Sequence, residues 1–343
     1  MRLFSSKSSL SISEVFISDN QQAPLSFRHI FNELACRKTQ LLLIIVILAL
    51  SGLVNAQVNA QVNAQANAQV NSQVNAQVNA QINAQVNAKV NAQVNAQENT
   101  QEKFPVGKWV SLFNGVDTKD WMVKIHHHET GDNFGNTFSV ADSSVQVRYD
   151  QYAEFNDQFG HLYYEQPFSY YHLRLQYRFV GELQRGAPSY TLRNSGVMFH
   201  SQDPRTMPKE QDWPISVEMQ FLGGLGDGKP RSTGNMCSPG TEVIYEGKMD
   251  PRHCINSKSK TYEGDQWVTA ELIVLGDSLI THIINGDTVL QYTKPQIGGG
   301  VANGYDPKIK IDGKLLKEGF IALQSEGQPV DFRRIEIKVL AKP

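Results

Sequence analysis

Alternation of apolar and polar residues with a period of two recurs along the C-terminal part of the chain. The run YYHLRLQYRFV, residues 170–180, shows it most clearly, with Leu173, Leu175, Tyr177 and Phe179 on one side. Because successive side chains of a strand point to opposite faces of a sheet, this run predicts a strand with one buried face.

A second alternating run, WPISVEMQFLGG, has a carboxylate and an amide on its polar face. Val217, Met219 and Phe221 form the apolar face, whereas Glu218 and Gln220 project from the opposite face. Two residues of a strand span about 7 Å, so these two polar side chains are neighbours. Such a face is either solvated or the floor of a site.

Further strand signals follow at short intervals, separated by glycine-rich turns. NSGVMFHS and GFIALQSEG are two of them, and residues 267–292 contain three more runs. Those three are broken at Gly276-Asp277 and at Asn285-Gly286, and an Asn-Gly pair is the strongest short hairpin signal. Helical periodicity is scarce here, so the pattern predicts an all-β domain: an antiparallel β-sandwich of the jelly-roll or lectin type.

The N-terminal part has a different pattern. LLLIIVILAL, residues 41–50, is a continuous apolar run that follows Arg37-Lys38. A basic flank, a short apolar core and a small-residue site predict a secretory signal region over residues 1–56, cleaved after Ala56. An uncleaved signal anchor is the alternative, although the apolar run is shorter than the ~20 residues that a spanning helix needs.

Copies of the tetrapeptide VNAQ follow the apolar run and predict a low-complexity linker over residues 57–103. In a helix, a four-residue period moves each Val by about 40° around the axis, so no apolar stripe forms on one face. In a strand, the repeat would form a flat ladder that tends to aggregate. We therefore expect a disordered spacer without chemistry between the export signal and the domain.

The composition becomes globular at Phe104, and residues 104–343 are long enough to bury a core as one β-sandwich. The formal net charge of the chain is −2, and no basic stripe occurs. Both observations argue against a nucleic-acid partner. Membrane contact is expected only through an uncleaved signal segment, and the oligomeric state is left open.

The cysteines agree with export. Cys36 lies in the segment that we expect to be removed, which leaves Cys237 and Cys254 in the domain. An even pair in an exported chain predicts a disulfide. Closing that loop is worth about 3 kcal/mol on the chain-entropy model. Two free buried thiols are the alternative.

Several short motifs occur in a fixed order between Lys108 and Leu340. They are WVSLFNGVDTKDW, RNSGVMFH, SVEMQFLGG, TGNMCSPGT, DQWVTAELIV, INGDTVLQY and GFIALQSEGQPVDFRRIEIK. Their ordered set resembles the 3-keto-disaccharide hydrolase family. The resemblance implies a concanavalin-like sandwich and a bacterial enzyme exported to the periplasm, the cell surface or the medium. Its substrate would be an oligosaccharide or glycoside already oxidised to a ketone at C3 of the sugar. No cofactor is required at this step, and a structural Ca²⁺ is compatible but not predicted.

The resemblance also implies a particular chemistry. A ketone at C3 acidifies the hydrogen on C2, so a base can remove it and the aglycone at C1 can leave by β-elimination. Water can add afterwards, which gives net hydrolysis. Such a site needs a base near C2, a donor for the enolate oxygen and an acid for the leaving oxygen.

Three residues are candidates for catalysis. Glu218 is the first candidate for the base, because a lectin-like sandwich turns this strand face toward its concave groove. His200 could be the acid or could hold a carboxylate in place. Glu326 faces away from the core in IALQSEG. The alternative for each is a structural role in an ion pair or in a hydrogen bond within the sheet.

Other polar residues on these strand faces or beside them are candidates for binding sugar hydroxyls or enolate charge. They are Gln220, Asn194, Arg193, Arg333, His161, Tyr163 and Gln324. Trp213 could stack on a sugar, although a core Trp is the commoner case. A non-catalytic carbohydrate-binding module is the alternative function, since it shares the fold and the polar face. A conventional retaining glycosidase is disfavoured, because no second acid follows Glu218 along its strand.

The sequence predicts no metal site. The HHH run, residues 126–128, lacks ligand spacing, because adjacent strand residues point to opposite faces. We expect a polar loop or a strand edge there. GDNFGN has oxygen ligands but not the twelve-residue calcium loop. GGLGDGKP resembles a phosphate-binding loop, but Pro230 occupies the Ser/Thr position and no helix is expected after it.

Overall fold

A computed structural model describes the backbone of residues 25–343 and the side chains of residues 37–91 and 103–343. The chain divides into two compact units, Met1–Val94 and Asn95–Pro343. Residues 1–24 of the predicted signal region lie outside the described residues.

A single α-helix, α1 (Leu25–Lys103), contains the apolar run and the whole repeat. The repeat is therefore helical, where the sequence predicted a disordered spacer. Ala and Gln are good helix formers, and neither Gly nor Pro occurs between residues 53 and 104 to end the helix. The Val side chains, such as Val58 and Val62, are about half exposed, as expected for a period that forms no apolar stripe.

The segment Arg37–Asn91 of α1 is long and apolar enough to cross a membrane, judged by length and composition alone. An N-terminal signal sequence meets the same criterion, so the helix is compatible with a cleaved signal and with an anchor. Cleavage after Ala56 stays a prediction.

The second unit is built from short strands. The first nine are β1 (Trp109–Ser111), β2 (Trp121–Ile125), β3 (Phe138–Ala141), β4 (Ser144–Val147), β5 (Gly160–Tyr164), β6 (Tyr170–Phe179), β7 (Asn194–Ser201), β8 (Val217–Leu222) and β9 (Asn235–Cys237). They are followed by β10 (Thr241–Tyr245), β11 (Lys248–Asp250), β12 (Cys254–Ile255), β13 (Val268–Leu275), β14 (Leu279–Ile284), β15 (Asp287–Ile297), β16 (Phe320–Ser325) and β17 (Val330–Val339). Three short 3₁₀ turns, Phe134–Asn136, Ser189–Thr191 and Pro204–Thr206, lie between them.

These strands form two sheets in which every pairing is antiparallel. The ten-stranded sheet has the order β11-β10-β15-β14-β13-β6-β17-β4-β3, with β1 paired to β17. The seven-stranded sheet has the order β12-β9-β8-β7-β16-β5-β2. This confirms the predicted antiparallel β-sandwich.

The predicted hairpin is present between β14 and β15. Asn285 and Gly286 have φ angles of 48° and 92°. A two-residue turn of this type requires positive φ at both positions, which Asn and Gly adopt at little cost. The backbone preferences of Asn285 and Gly286 therefore form the turn that joins β14 and β15.

The hydrophobic core lies between the two sheets. Leu173 and Tyr177 of β6 belong to the same buried cluster as Met219 and Phe221 of β8. The rings of Tyr177 and Phe221 stack with their centroids 4.1 Å apart. Because side chains alternate along β8, the packing of Met219 and Phe221 directs the residues between them to the outer face of the seven-stranded sheet.

Candidate active site

The outer face of the seven-stranded sheet carries polar side chains on adjacent strands. Gln220 of β8 lies opposite Gly196 of β7 on one side and Asn235 of β9 on the other. Gln324 of β16 lies opposite His161 of β5. The predicted polar faces of separate strands therefore form one surface.

A cavity of about 260 Å³ opens on this surface. Its lining residues come from several strands and from the loops beside them. They are Tyr190, Asn194, Trp213, Glu218, Gln220, Cys237, Pro239, His253, Cys254, Val301, Gln324 and Glu326. The cavity brings together five of the polar residues that the sequence predicted.

Glu218 lies on the floor of this cavity, opposite Met198 of β7 on one side and Cys237 of β9 on the other. Its side chain is buried, and its Oε1 atom has no hydrogen-bond partner among the described residues. Burial raises the pKa of Glu218 to about 8, and a hydrogen bond with Gln324 opposes that rise. A carboxylate with such a pKa is well matched to proton abstraction near neutral pH.

Gly196 makes room for the Glu218 side chain. A Cβ atom at position 196 would lie 2.4 Å from Oε1 of Glu218 and 2.9 Å from its Cγ. No side chain fits between the β7 backbone and this carboxylate, so a glycine at position 196 lets Glu218 lie flat on the neighbouring strand.

Glu326 follows the end of β16 and is the second buried carboxylate of the cavity. Its Oε2 atom also lacks a partner among the described residues. Burial and then the charge of Glu218 raise the pKa of Glu326 well above its usual value, while Arg231 opposes the rise. Like charges in one site oppose joint ionisation, so once Glu218 is ionised Glu326 is favoured in its protonated form.

The second acid therefore comes from another strand. The sequence argument against a retaining glycosidase rested on the lack of an acid after Glu218 on its own strand. The structure supplies Glu326 from β16, because strands distant in sequence meet in the sheet. That argument was wrong in its premise, and the two pKa values have to decide between the chemistries instead.

Arg231 is a functional candidate that sequence reasoning missed. Its guanidinium is held by the backbone carbonyl oxygens of Gly223, at 2.6 Å, and Leu192, at 2.9 Å. Burial and then the charge of Arg193 lower its pKa. It is a fixed cation near Glu326, and no local pattern around Arg231 distinguishes it from a solvated arginine.

Tyr190 and His253 at the cavity were also missed. Burial and then the charge of Glu326 raise the pKa of Tyr190 to about 12, so its hydroxyl stays protonated. Burial lowers the pKa of the His253 imidazole. Both residues lie on connections between strands, where a period-two pattern carries no information.

Amide side chains supply the hydrogen-bonding groups of the cavity. Gln220 accepts a hydrogen bond from Asn235 through Oε1, at 3.1 Å. The Oδ1 atom of Asn194 and the Oε1 atom of Gln324 are buried and have no partner among the described residues. Unsatisfied buried polar atoms are costly, so these oxygens suit the hydroxyl groups of a ligand.

Trp213 forms an aromatic wall of the cavity. Its ring lies 4.5 Å from the ring of Phe159 and 5.7 Å from that of His161, measured between centroids. Asp212 accepts hydrogen bonds from the backbone N–H groups of Trp213, at 2.6 Å, and Asn303, at 2.7 Å. Trp213 is therefore held in place and is half-buried, as a stacking residue requires.

His200 does not reach the cavity. Its Nε2 atom lies 3.0 Å from the carbonyl oxygen of Gly276, in the turn between β13 and β14 of the other sheet. His200 has a φ angle of 46°, and the pairing of β7 with β16 shifts register between Phe320 and Ala322. This bulge breaks the alternation on which the sequence assignment depended. Burial also lowers the pKa of His200 to about 4.

Neither predicted arginine lines the cavity. Arg193 contacts Asp265, at 3.3 Å, and the carbonyl oxygen of Gly264. Arg333 lies on β17 in the ten-stranded sheet, where it donates from Nε to Gln176, at 2.9 Å. For Arg333, the pattern of one strand does not reveal which sheet the strand joins. Arg193 directly precedes β7 and has a φ angle of 50°, so strand alternation does not fix where its side chain points.

His161 and Tyr163 share the predicted face but are covered. Neither ring nitrogen of His161 has a hydrogen-bond partner among the described residues. Burial and then Lys124 lower the pKa of His161 to about 3, so it is neutral. Tyr163 packs in a small apolar cluster with Met198 and Met207. Both residues support the floor beside the cavity.

A disulfide joins Cys237 and Cys254, as predicted, and forms part of the cavity wall. The two residues pair across β9 and β12 and are separated by 17 positions in the sequence. Cys237 also lies directly opposite Glu218. The disulfide therefore ties a short edge strand to the strand that carries the carboxylate.

Replacing Cys237 and Cys254 together by Ala is expected to lower the free energy of unfolding by about 3 kcal/mol. Urea unfolding with and without a thiol reductant measures this loss. The wild type should lose the same amount on reduction. The double variant, which retains Cys36, should not respond to the reductant. Equal unfolding midpoints for the oxidised wild type and the double variant would contradict the expectation.

A cluster of possible metal ligands lies outside the cavity. His126, His127 and Glu210 bring ligand atoms within 4.8 Å of one another. The two rings stack at 3.6 Å because His127, in the turn after β2, has a φ angle of 70°. The alternation expected of a strand does not hold in that turn. His127 is hydrogen-bonded to Glu210 at 2.6 Å and both are exposed, so a surface hydrogen bond accounts for the cluster.

The fold and the cavity define a lectin-like β-sandwich with a buried carboxylate pair on its outer sheet face. The model of the 3-keto-alpha-glucoside-1,2-lyase-like domain family matches residues 108–338. The chain belongs to this family, which confirms the resemblance seen in the motifs. The family and its glycoside-cleaving description agree with an enzyme that acts on sugar ligands.

Solved structures of the same general architecture cover the domain at low identity. A candidate glycosyl hydrolase from Parabacteroides distasonis is 16% identical, covers 68% of this chain and 94% of its own, and has a TM-score of 0.41. A galectin-like protein of unknown function from Bacillus subtilis is 10% identical, with 69% and 97% covered and a TM-score of 0.41. The β-glucanase of Bacillus licheniformis is 10% identical, with 68% and 98% covered and a TM-score of 0.38. No curated protein matches the chain.

Proposed function

We propose that this chain is an exported enzyme that cleaves 3-keto-glycosides by removing the C2 hydrogen and eliminating the aglycone. The single observation that carries the proposal is the pair of buried carboxylates in one cavity, both with raised pKa values. Export is supported by the disulfide and by the apolar N-terminal helix.

Glu218 is proposed as the base. It takes the C2 hydrogen, and the electrons of that bond pass into the C2–C3 bond to form an enolate at the C3 oxygen. The buried amide oxygens of Asn194 and Gln324 that lack partners among the described residues are suited to accept hydrogen bonds from the neighbouring hydroxyls. The enolate oxygen needs a donor, and the protonated hydroxyl of Tyr190 lies at the same cavity. The enolate then returns its electrons, a C1–C2 double bond forms, and the bond from C1 to the aglycone breaks.

Glu326 is proposed as the acid that protonates the leaving oxygen. Burial and the charge of Glu218 raise the pKa of Glu326 well above its usual value, so an ionised Glu218 favours the protonated form of Glu326. Addition of water across the new double bond would give the free 3-keto sugar and net hydrolysis. Separated pKa values of two neighbouring carboxyl groups are the usual sign of such a division of roles.

The pKa values favour elimination over a retaining glycosidase. A retaining enzyme needs one carboxylate that is ionised at neutral pH to attack C1 as a nucleophile. Here both pKa values are raised, and that of Glu218 reaches about 8. A general base works best with a pKa near the working pH and can remove a hydrogen made acidic by an adjacent ketone. A retaining nucleophile, by contrast, gains nothing from a raised pKa.

The test uses the full-length chain, a chromogenic glucoside and its 3-keto derivative, in D₂O. We expect release of the chromophore from the keto form alone, with deuterium at C2 of the free sugar. Deuterium appears because the C2 hydrogen is lost and is replaced from solvent. Ordinary glycoside hydrolysis keeps that hydrogen.

The remaining outcomes separate the alternatives. Release from the unoxidised glucoside with C2 unlabelled would show a conventional glycosidase. Saturable binding of either sugar without any release would show a carbohydrate-binding module, which shares the fold and the polar cavity. Either result would overturn the proposal.

A further inference from the structure

The outer face of the ten-stranded sheet, on the opposite side of the sandwich from the cavity, carries two stacked arginines. The guanidinium carbon of Arg333 lies 3.9 Å from the ring centroid of Trp267, and that of Arg178 lies 4.6 Å from it. Stacking on an indole holds a guanidinium in one orientation and leaves its N–H groups free at the edge.

The positive charge around Trp267, at one end of this face, is only partly neutralised. Asp331 is the carboxylate that pairs with both Arg148, at 2.6 Å, and Arg178, at 2.9 Å. Within the described part of the chain, Arg333 and Arg334 form no ion pair. Burial and then repulsion by Arg334 and Arg178 lower the pKa of Arg333, so the arginines repel one another here.

The other end of the same face is neutral by comparison. There Arg174 lies 4.0 Å from the ring centroid of Trp109, yet its Nε bonds to Glu336 at 2.7 Å. His172 similarly faces Glu271 at 2.8 Å. On this face Arg174 on Trp109 and Arg178 on Trp267 each have a carboxylate partner, whereas Arg333 on Trp267 has none among the described residues.

Neutral hydrogen-bonding groups continue from the unpaired arginine across the sheet. Arg333 lies opposite Gln176, which in turn lies opposite Thr269. Gln176 donates to the Thr269 hydroxyl at 3.2 Å, and Asn285 follows at the next strand end. A row of amides and hydroxyls beside guanidinium groups suits a ligand that is rich in hydroxyls and carries negative charge.

We propose that Arg333, Arg334, Arg178, Trp267 and Gln176 form an anion-binding surface for an acidic polysaccharide. Carboxylate groups of the polymer would bind the unpaired guanidinium groups, and its hydroxyls would bind Gln176. Arginine pairs with planar carboxylates through two parallel hydrogen bonds, which gives the surface its chemical preference. The surface and the cavity lie on different sheets, so the polymer and a small glycoside can bind at the same time.

Binding of the full-length chain to immobilised alginate, with dextran as the neutral polymer, tests this surface. We expect binding to alginate that weakens with added salt, and much weaker binding to dextran. Arg333→Gln should raise the Kd for alginate about tenfold, because a charged pair with two hydrogen bonds is lost.

The double variant Arg174→Gln, Glu336→Gln is the matched control. It removes the second Trp–Arg arrangement without changing the net charge, so its Kd should stay within about twofold of wild type. If Arg333→Gln lowers the unfolding midpoint, the exposed residue Arg334 is substituted instead, as Arg334→Gln. Lack of alginate binding, equal binding to dextran, tighter binding to a DNA duplex, or equal losses in Arg333→Gln and the control would each overturn the proposal.

Discussion

Glu218→Gln is expected to lower kcat/KM for a chromogenic 3-keto-glucoside by about 10³-fold, because a positioned base contributes roughly 10²–10⁴-fold. Glutamine keeps the size of the side chain and can still bond to Gln324, but it cannot accept the C2 proton. The C2 hydrogen should also stop exchanging with solvent deuterium. Steady-state kinetics and NMR of the sugar measure both effects.

The pH dependence of kcat/KM is an independent test of Glu218 as the base. The base must be ionised, and burial raises the pKa of Glu218 to about 8. The logarithm of kcat/KM should therefore rise with pH up to about 8 and level off above it. The charge of Glu218 contributes to raising the pKa of Glu326, so ionisation of the base favours the protonated form of the acid. Assays of kcat/KM between pH 6 and pH 8 measure this dependence. An activity that falls as the pH rises over that range would contradict these roles.

Glu271→Gln is the matched control for the Glu218 variant. Glu271 lies on the ten-stranded sheet, paired with His172, and does not line the cavity. The same chemical change there should leave kcat/KM within about twofold of wild type. Equal losses for the two variants would show that Glu218 supports the fold and does not act as the base.

Gly196→Ala is expected to lower kcat/KM about 10²-fold while the protein stays folded. The new Cβ would lie 2.4 Å from Oε1 and 3.0 Å from Cδ of Glu218, so the carboxylate has to move. A displacement of about 1 Å at a reacting group can cost 10²-fold in rate. Most of the loss should appear in kcat, since the amides that bind the sugar stay in place.

Gly300→Ala is the control for this substitution. Gly300 lies near the cavity, and a Cβ atom there would meet no atom within 4 Å. Both changes have the same effect on the unfolded chain, so their unfolding midpoints can be compared directly. A normal kcat in Gly196→Ala, or a loss of similar size in Gly300→Ala, would rule out the steric role of Gly196.

Alternation of side chains predicted which residues of each strand face outward. For β8 it assigned Glu218 and Gln220 correctly, and it also assigned Gln324 of β16 and Glu326, which directly follows β16. This works because the apolar face has to be buried and the side-chain period of a strand is two. The disulfide between Cys237 and Cys254 was likewise predictable, from the number of cysteines left in an exported chain.

Local pattern failed where backbone geometry departs from the regular strand. His200 sits at a bulge with positive φ, and its ring turns to Gly276. His126 and His127 lie in a turn, one of the two arrangements expected for this run, and their rings stack there, so the alternation of strand faces does not apply to them. The repeat was expected to be disordered, yet it has helix-forming residues and no breaker, and it is helical in α1.

The sequence by itself determined the sandwich, the outward faces and the carboxylate candidates, since these depend on composition and on contacts between near neighbours along the chain. The tertiary structure alone decided that Glu326 joins Glu218 in one cavity, that Arg231 stands near them, and that Arg333 lies on the other sheet. Strand order depends on pairings between distant segments, and the pattern within a strand is the same whichever neighbour it acquires. The pKa values followed from that assembly, because burial and the proximity of two charges exist only in the folded chain.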